Sequence, residues 1–137
     1  MIRTLFLLSV SVLLMFSCTS QQETNSPSSD NNSSEESNVV AKRVSAAEFK
    51  TVLEANPDAQ LVDVRTAREY QGGKINEATN IDFLSSDFSD KIAQLDKTKL
   101  TLIYCQSGGR SSKALEQMKS MGFQNVLELE GGYGSWR

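Results

Sequence analysis

The chain has 137 residues, 39% hydrophobic and 23% charged, enough for one domain of modest size with a single core and a further stretch beside it. Its formal charge of -3 is uneven: Glu23, Asp30, Glu35 and Glu36 lie in an early stretch without a basic residue, so the remainder is near neutral and no nucleic-acid partner is expected. Histidine is absent, which excludes a Ser-His-Asp triad and a Cys-His dyad; a zinc site would need carboxylates and two distant cysteines, so neither metal nor cofactor is expected.

The chain opens with Arg3 and an apolar run from Leu5 to Phe16, ending at Ser17-Cys18. This predicts a secretory signal over residues 1–17, because the run is shorter than the roughly 20 residues that span a bilayer. A short apolar segment followed by a small residue and cysteine resembles bacterial lipoprotein signals, in which that cysteine is lipidated. The resemblance implies Cys18 as lipidation site, a membrane partner through the lipid, and a domain facing the periplasm or exterior. Met15 and Phe16 depart from the usual residues there, and simple cleavage nearby is the alternative. Thr19 to Asn38 holds no aliphatic or aromatic side chain, so residues 18–38 are expected to form a solvated, flexible linker.

The folded unit is expected over residues 39–137. Val40 to Val44 reads as an edge strand, and Ser45 with Glu48 as a capping box opening a helix that carries Phe49, Val52 and Leu53 and ends before Pro57. Gln60 to Val64 is the next strand, expected to be central. Thr66 and Glu69 form a second capping box for a short helix ending at Gly72-Gly73, with Arg65 expected to pair with Glu69 at i,i+4. A short strand around Ala78 to Ile81 follows, then a helix from Asp87 to Leu95 with Phe88, Ile92 and Leu95 on one side.

Leu100 to Tyr104 is a β-rich apolar run of the kind that fills a strand covered on both faces. Cys105 ends it. From Ser111 to Met121, residues Ala114, Leu115, Met118 and Met121 share one face of a helix that Gly122 stops. Between the two lies Cys105-Gln106-Ser107-Gly108-Gly109-Arg110, whose glycines permit a loop with its N–H groups turned inward as an anion cradle. Such amides, the helix dipole and the Arg110 cation favour a thiolate, so Cys105 is expected to be a reactive nucleophile that needs no histidine base. A small buried hydrophobe at a strand end is the plainer reading of a lone cysteine. Asn125 to Leu129 is the last strand, and Gly131-Gly132 a tight turn bringing the closing segment beside the loop, with Trp136 packing rather than binding substrate.

Cys105-Gln106-Ser107-Gly108-Gly109-Arg110-Ser111 resembles the C-x-x-G-x-R-S active-site loop of single-domain rhodaneses. Asp63-Val64-Arg65 with Glu69-Tyr70 is similar to their D-V-R-x-x-x-E-Y/F signature, and Gly131-Gly132 with Trp136 to their G-G-x-x-x-W ending. Gly73 to Ile81 resembles their G-H-I-x-G-A-x-N-I segment, except that Lys74 replaces histidine and Glu77 replaces glycine, so any special turn at Glu77 must be reached by a residue with a Cβ.

Strands alternating with helices predict an α/β fold, a mostly parallel sheet of about five strands with helices on both faces and the loop at the carboxyl end of a strand. The resemblance implies a sulfurtransferase or persulfide carrier. Cys105 would attack the outer sulfur of a small anionic donor such as thiosulfate, and Gln106, Ser107, Gly108, Gly109 and Arg110 would bind the anion before the sulfur passes to a thiol or cyanide. A cysteine phosphatase or arsenate reductase is the chemical rival, but those resemble C-x-x-x-x-x-R, one residue longer. A noncatalytic binding module is the other, and such domains commonly lack the cysteine.

Overall fold

A computed structural model of the protein describes residues 40–137. The expected signal, Cys18 and the linker lie outside the described residues. Strands and helices alternate: β1 Val40–Val44, α1 Ala46–Ala55, β2 Gln60–Asp63, α2 Ala67–Gln71, β3 Thr79–Asn80, α3 Phe88–Ala93, β4 Thr101–Tyr104, α4 Gly109–Ser120, β5 Asn125–Leu129 and α5 Tyr133–Trp136. The five strands form one parallel sheet in the order β1-β5-β4-β2-β3. The expected α/β architecture is therefore present, with β1 at an edge. The centre is β4, all four of whose residues are buried, and not β2, which lies between β4 and the two-residue β3.

Side chains alternate across the sheet and build two apolar layers. On one face Val62, Val64, Ile81, Ile103, Cys105 and Val126 pack with Phe88 and Ile92 of α3 and Ala114, Leu115 and Met118 of α4. On the other Leu102, Tyr104, Leu127 and Leu129 meet Phe49 of α1, with Tyr70 of α2, Tyr133 and Trp136 against them. The chain after β4 thus turns to one face and the chain after the adjacent β2 to the other. Neighbouring strands whose connections part in this way leave a crevice at their carboxyl ends, the usual site position in an open α/β sheet.

Local signals explain the helix starts. Thr66 and Glu69 make the reciprocal capping box. Ser45 accepts from the Glu48 N–H, but the Glu48 carboxylate turns to Lys42 at 2.9 Å, so only half of the first box forms. Among the described residues, the non-glycine residue with positive φ is Asn76, at 43°, and not Glu77. Among the described residues, no helix is long and apolar enough to cross a membrane.

Candidate active site

Cys105 follows directly on β4 and sits at the floor of the crevice, 1% exposed. The loop is shorter than its sequence suggests, because α4 begins at Gly109 and not at Ser111. Gly108 is its N-cap, at φ 96°, a left-handed angle that suits glycine and aims the Gly108 N–H at Cys105 Sγ, 3.1 Å away. Ser111, one turn into the helix and fully buried, places its Oγ 3.3 Å from the same sulfur. Burial pushes the Cys105 thiol up. Hydrogen bonds from the Ser111 hydroxyl and from the N–H groups of Ser111, Ser107 and Gly108 outweigh it, leaving the thiol below its ordinary range.

The closing segment completes the loop. The Tyr133 N–H donates to the Cys105 carbonyl at 2.7 Å and the Gly134 N–H to the Gln106 carbonyl at 3.1 Å. These bonds need Gly132, whose φ is 61° and whose added Cβ would lie 2.7 Å from the Gln106 carbonyl carbon and 2.8 Å from Ser107 N. The expected turn at Gly131-Gly132 therefore exists and braces the loop from behind. Trp136 packs, its ring edge-on to Phe49 at 6.0 Å between centroids.

The residues expected to bind the anion divide. Gln106 and Ser107 are exposed at the mouth, and Gly108 is buried beside the sulfur. The Gln106 side chain turns back, its Oε1 accepting from Arg65 Nη1 at 3.3 Å. Gly109 lies in the first helical turn without a positive φ and with nothing near its Cβ position, so it has no special backbone role. Arg110 reaches across the crevice to Glu69, with Nη1 and Nη2 at 2.7 and 2.6 Å from the two carboxylate oxygens. Its guanidinium is a clasp between α4 and α2. This pairing holds Glu69 down to about 2, the Arg110 hydrogen bonds being the largest cause and those from Thr66 adding to them.

The expected Arg65 to Glu69 pair does not form. Arg65 is buried and binds both oxygens of Asp63, with Nη2 at 2.6 Å, and donates to the Gly73 carbonyl at 2.6 Å. Its guanidinium carbon lies 4.1 Å from the Tyr133 ring centroid. Asp63 at i-2 is the buried partner, whereas Glu69 is committed to Thr66 and Arg110. Among the described residues, no three His, Cys, Asp or Glu side chains come together as a metal site.

Sequence reasoning assigned no role to Ser111, Glu128 or Arg43. Glu128 is fully buried in β5, within hydrogen-bonding distance of Ser111 Oγ at 2.6 Å and of Arg43 Nε, also at 2.6 Å. The available signal was one acid interrupting the apolar run Val126-Leu127-Glu128-Leu129 on the face that β-alternation shares with Cys105.

Comparisons with known proteins place the chain in a family. The chain is 35% identical to a putative sulfurtransferase of Bacillus subtilis over 69% of this chain and 89% of that one. It is 34% identical to a thiosulfate sulfurtransferase of Pseudomonas entomophila over 58% of this chain and 71% of that one. A tRNA uridine(34) hydroxylase of Cytophaga hutchinsonii is 37% identical over 66% of this chain, which spans only 30% of that longer protein. Among solved structures, a rhodanese-like domain protein from Staphylococcus aureus superposes with a TM-score of 0.63 at 30% identity, over 70% of this chain and 91% of that one. The family model of the rhodanese-like domain matches residues 45–137, and the chain belongs to that family.

Proposed function

We propose that the chain is a sulfurtransferase or persulfide carrier with Cys105 as its nucleophile. The observation that carries this reading is a buried sulfur contacted by the Gly108 N–H and the Ser111 hydroxyl at the start of a helix of twelve residues. The thiolate attacks the outer sulfur of a donor such as thiosulfate, a new S–S bond forms, and the donor's S–S bond breaks with its electron pair leaving on sulfite. The outer sulfur of the Cys105 persulfide then carries the negative charge, and the amides at the head of α4 lie on the side of the site that favours an anion. Attack on that sulfur by a thiolate or cyanide returns the Cys105 thiolate.

The relatives named as sulfurtransferases support this reading, and retention of Cys105 and Arg110 weighs against a purely noncatalytic module. Four residues separate Cys105 from Arg110, and the Arg110 guanidinium is already held by Glu69, which disfavours a phosphatase that needs a free arginine for a tetrahedral oxyanion. Mass spectrometry after incubation with thiosulfate tests the proposal: one added sulfur on the Cys105 peptide, lost in Cys105→Ser, is expected. Absence of added sulfur alongside a folded chain would leave the binding module. We further propose export with a lipid on Cys18, from the apolar run of Leu5 to Phe16 that ends beside it. Lipid labelling with membrane fractionation tests this, and an unlabelled protein in the soluble fraction overturns it.

A further inference from the structure

Three groups around Cys105 share too few hydrogens. Ser111 Oγ stands 2.6 Å from Glu128 Oε1, 3.3 Å from Cys105 Sγ and 3.2 Å from the Gly108 carbonyl. A hydroxyl has one hydrogen to give. Glu128 is 0% exposed, and its other oxygen accepts from Arg43 Nε at 2.6 Å. An ionised carboxylate only accepts, so at 2.6 Å it takes the Ser111 hydrogen. Ser111 then turns lone pairs toward Cys105, an arrangement that suits a thiol donating its S–H and opposes a thiolate. A thiolate, which already holds the Gly108 N–H at 3.1 Å, gains the Ser111 hydrogen as well only when Glu128 carries a proton and donates it to Ser111 Oγ. Two acceptors contending for one hydrogen in a buried site is the costly state.

We infer that Glu128 is the proton store of this site, taking the Cys105 proton through the Ser111 hydroxyl when the thiolate forms. The S–H bond breaks and its proton goes to Ser111 Oγ, while the hydroxyl's own proton passes to Glu128 Oε1. One proton moves from sulfur to carboxylate and no electron is transferred. This accounts for an acid buried in a strand core, and it supplies a base to a chain without histidine. The inference deepens the sulfurtransferase reading and takes its purpose from it.

The surrounding charges are few. Arg43 of β1 faces Glu128, with Glu130 after β5 acting on the same guanidinium. Arg110 of α4 lies near Cys105, paired with Glu69 of α2 and with Asp82 close by. At the end of β2, Asp63 and Arg65 two residues beyond it neutralise one another. Glu128 and Cys105 are thus the pair of groups that meet at one hydroxyl.

The test uses the full chain without sulfur donor. The iodoacetamide reaction of the Cys105 peptide is followed against pH by mass spectrometry, and infrared difference spectra are recorded across the same range. Glu128→Gln keeps an acceptor for Arg43 and gives Ser111 a permanent N–H donor, which frees the hydroxyl hydrogen for sulfur. The apparent pKa of Cys105 should fall by about one unit or more, a tenfold rise in thiolate below it. Removing a negative charge would also lower it, so the substitution is repeated with Ser111→Ala, where a relay has no path and a bare charge effect persists. The expected result is a shift at least halved in the Ser111→Ala background. A protonated-carboxyl band should be present in the wild type at a pH where Cys105 alkylates as the thiolate, disappear at higher pH as the shared proton leaves the pair, and be missing from both Glu128→Gln and Ser111→Ala. Equal shifts in the two backgrounds, or no such band in the wild type, would overturn the relay. If Glu128→Gln does not fold, the band in wild type against Ser111→Ala decides. A protein that shows the coupling but takes no sulfur from thiosulfate keeps this inference and loses the sulfurtransferase reading; one that takes sulfur without the coupling does the reverse.

Discussion

At Gly132 a methyl group is enough to break the site, because its Cβ would run into the backbone of Cys105, Gln106 and Ser107 at an angle that L side chains rarely adopt. Gly132→Ala is expected to abolish persulfide formation from thiosulfate and to lower the urea midpoint. Gly109→Ala is the control: its position is helical and open, so stability should hold or rise by about 0.5–1 kcal/mol, with persulfide yield unchanged. Equal damage from both would remove the distinction between a braced loop and an ordinary helix start. The sequence showed two adjacent glycines in the loop without showing which one needs its freedom. The helix beginning at Gly109 decides it, since Gly108 takes the left-handed angle. The same start shifts thiolate control toward Ser111. Ser111→Ala should raise the alkylation pKa of Cys105, because hydrogen bonding from Ser111 offsets the cost of burial. Arg110→Ala should move it less, the guanidinium being held by Glu69. A larger shift from Arg110→Ala than from Ser111→Ala would return control of the thiolate to the arginine.

Between elements, the clasp of Arg110 on Glu69 ties α4 to α2 across the crevice. Glu69 is held at about 2, against an ordinary 4.5. A carboxylate with a depressed folded pKa stabilises the fold above its unfolded value, and that contribution fades as pH falls from about 4.5 toward about 2. Arg110→Ala should therefore destabilise the protein at neutral pH and flatten its acid unfolding over that window, measured by urea titration at several pH values; a wild-type slope in the variant would show that the pair is not the cause. Capping residues were legible because they act within four residues of chain. The clasp was not: Arg110 and Glu69 lie far apart in sequence, and the neighbouring Arg65 offered Glu69 a local partner at i,i+4. Burial redirected Arg65 to Asp63. Removing one member of such a buried pair leaves an uncompensated charge, so Asp63→Leu should cost about 3–5 kcal/mol by urea denaturation. A loss below 1 kcal/mol would mean that Gly73 and the aromatic rings alone satisfy Arg65.

Across the whole molecule, the alternation of strands and helices and the place of Cys105 at a strand end were legible, because hydrophobic period and loop chemistry are local properties. Strand order was not, which is why β2 was expected where β4 lies. Order depends on pairing between strands distant in sequence, which the apolar run of β4 does not encode; β4 carries Leu102 and Tyr104 into one layer and Ile103, with Cys105 just after it, into the other. The two layers are joined behind the site by the closing segment. Its backbone bonds hold the Cys105 and Gln106 carbonyls, while Trp136 beyond them packs on Phe49 in the layer opposite the sulfur. Anchoring at α1 is thereby coupled to loop geometry at β4. Trp136→Ala removes the anchor without touching the loop. Full truncation of a buried aromatic costs roughly 3–5 kcal/mol, and the partly exposed Trp136 should cost about 1–3 kcal/mol by urea midpoint. Under conditions where the variant stays folded, a loosened segment should uncover Cys105, so iodoacetamide reacts faster while sulfur uptake from thiosulfate slows. Those opposite changes separate a loosened brace from general destabilisation, which would accelerate alkylation only in proportion to the unfolded fraction. Lost stability with both rates unchanged would confine Trp136 to the core and leave the loop held by Gly132, Tyr133 and Gly134 alone.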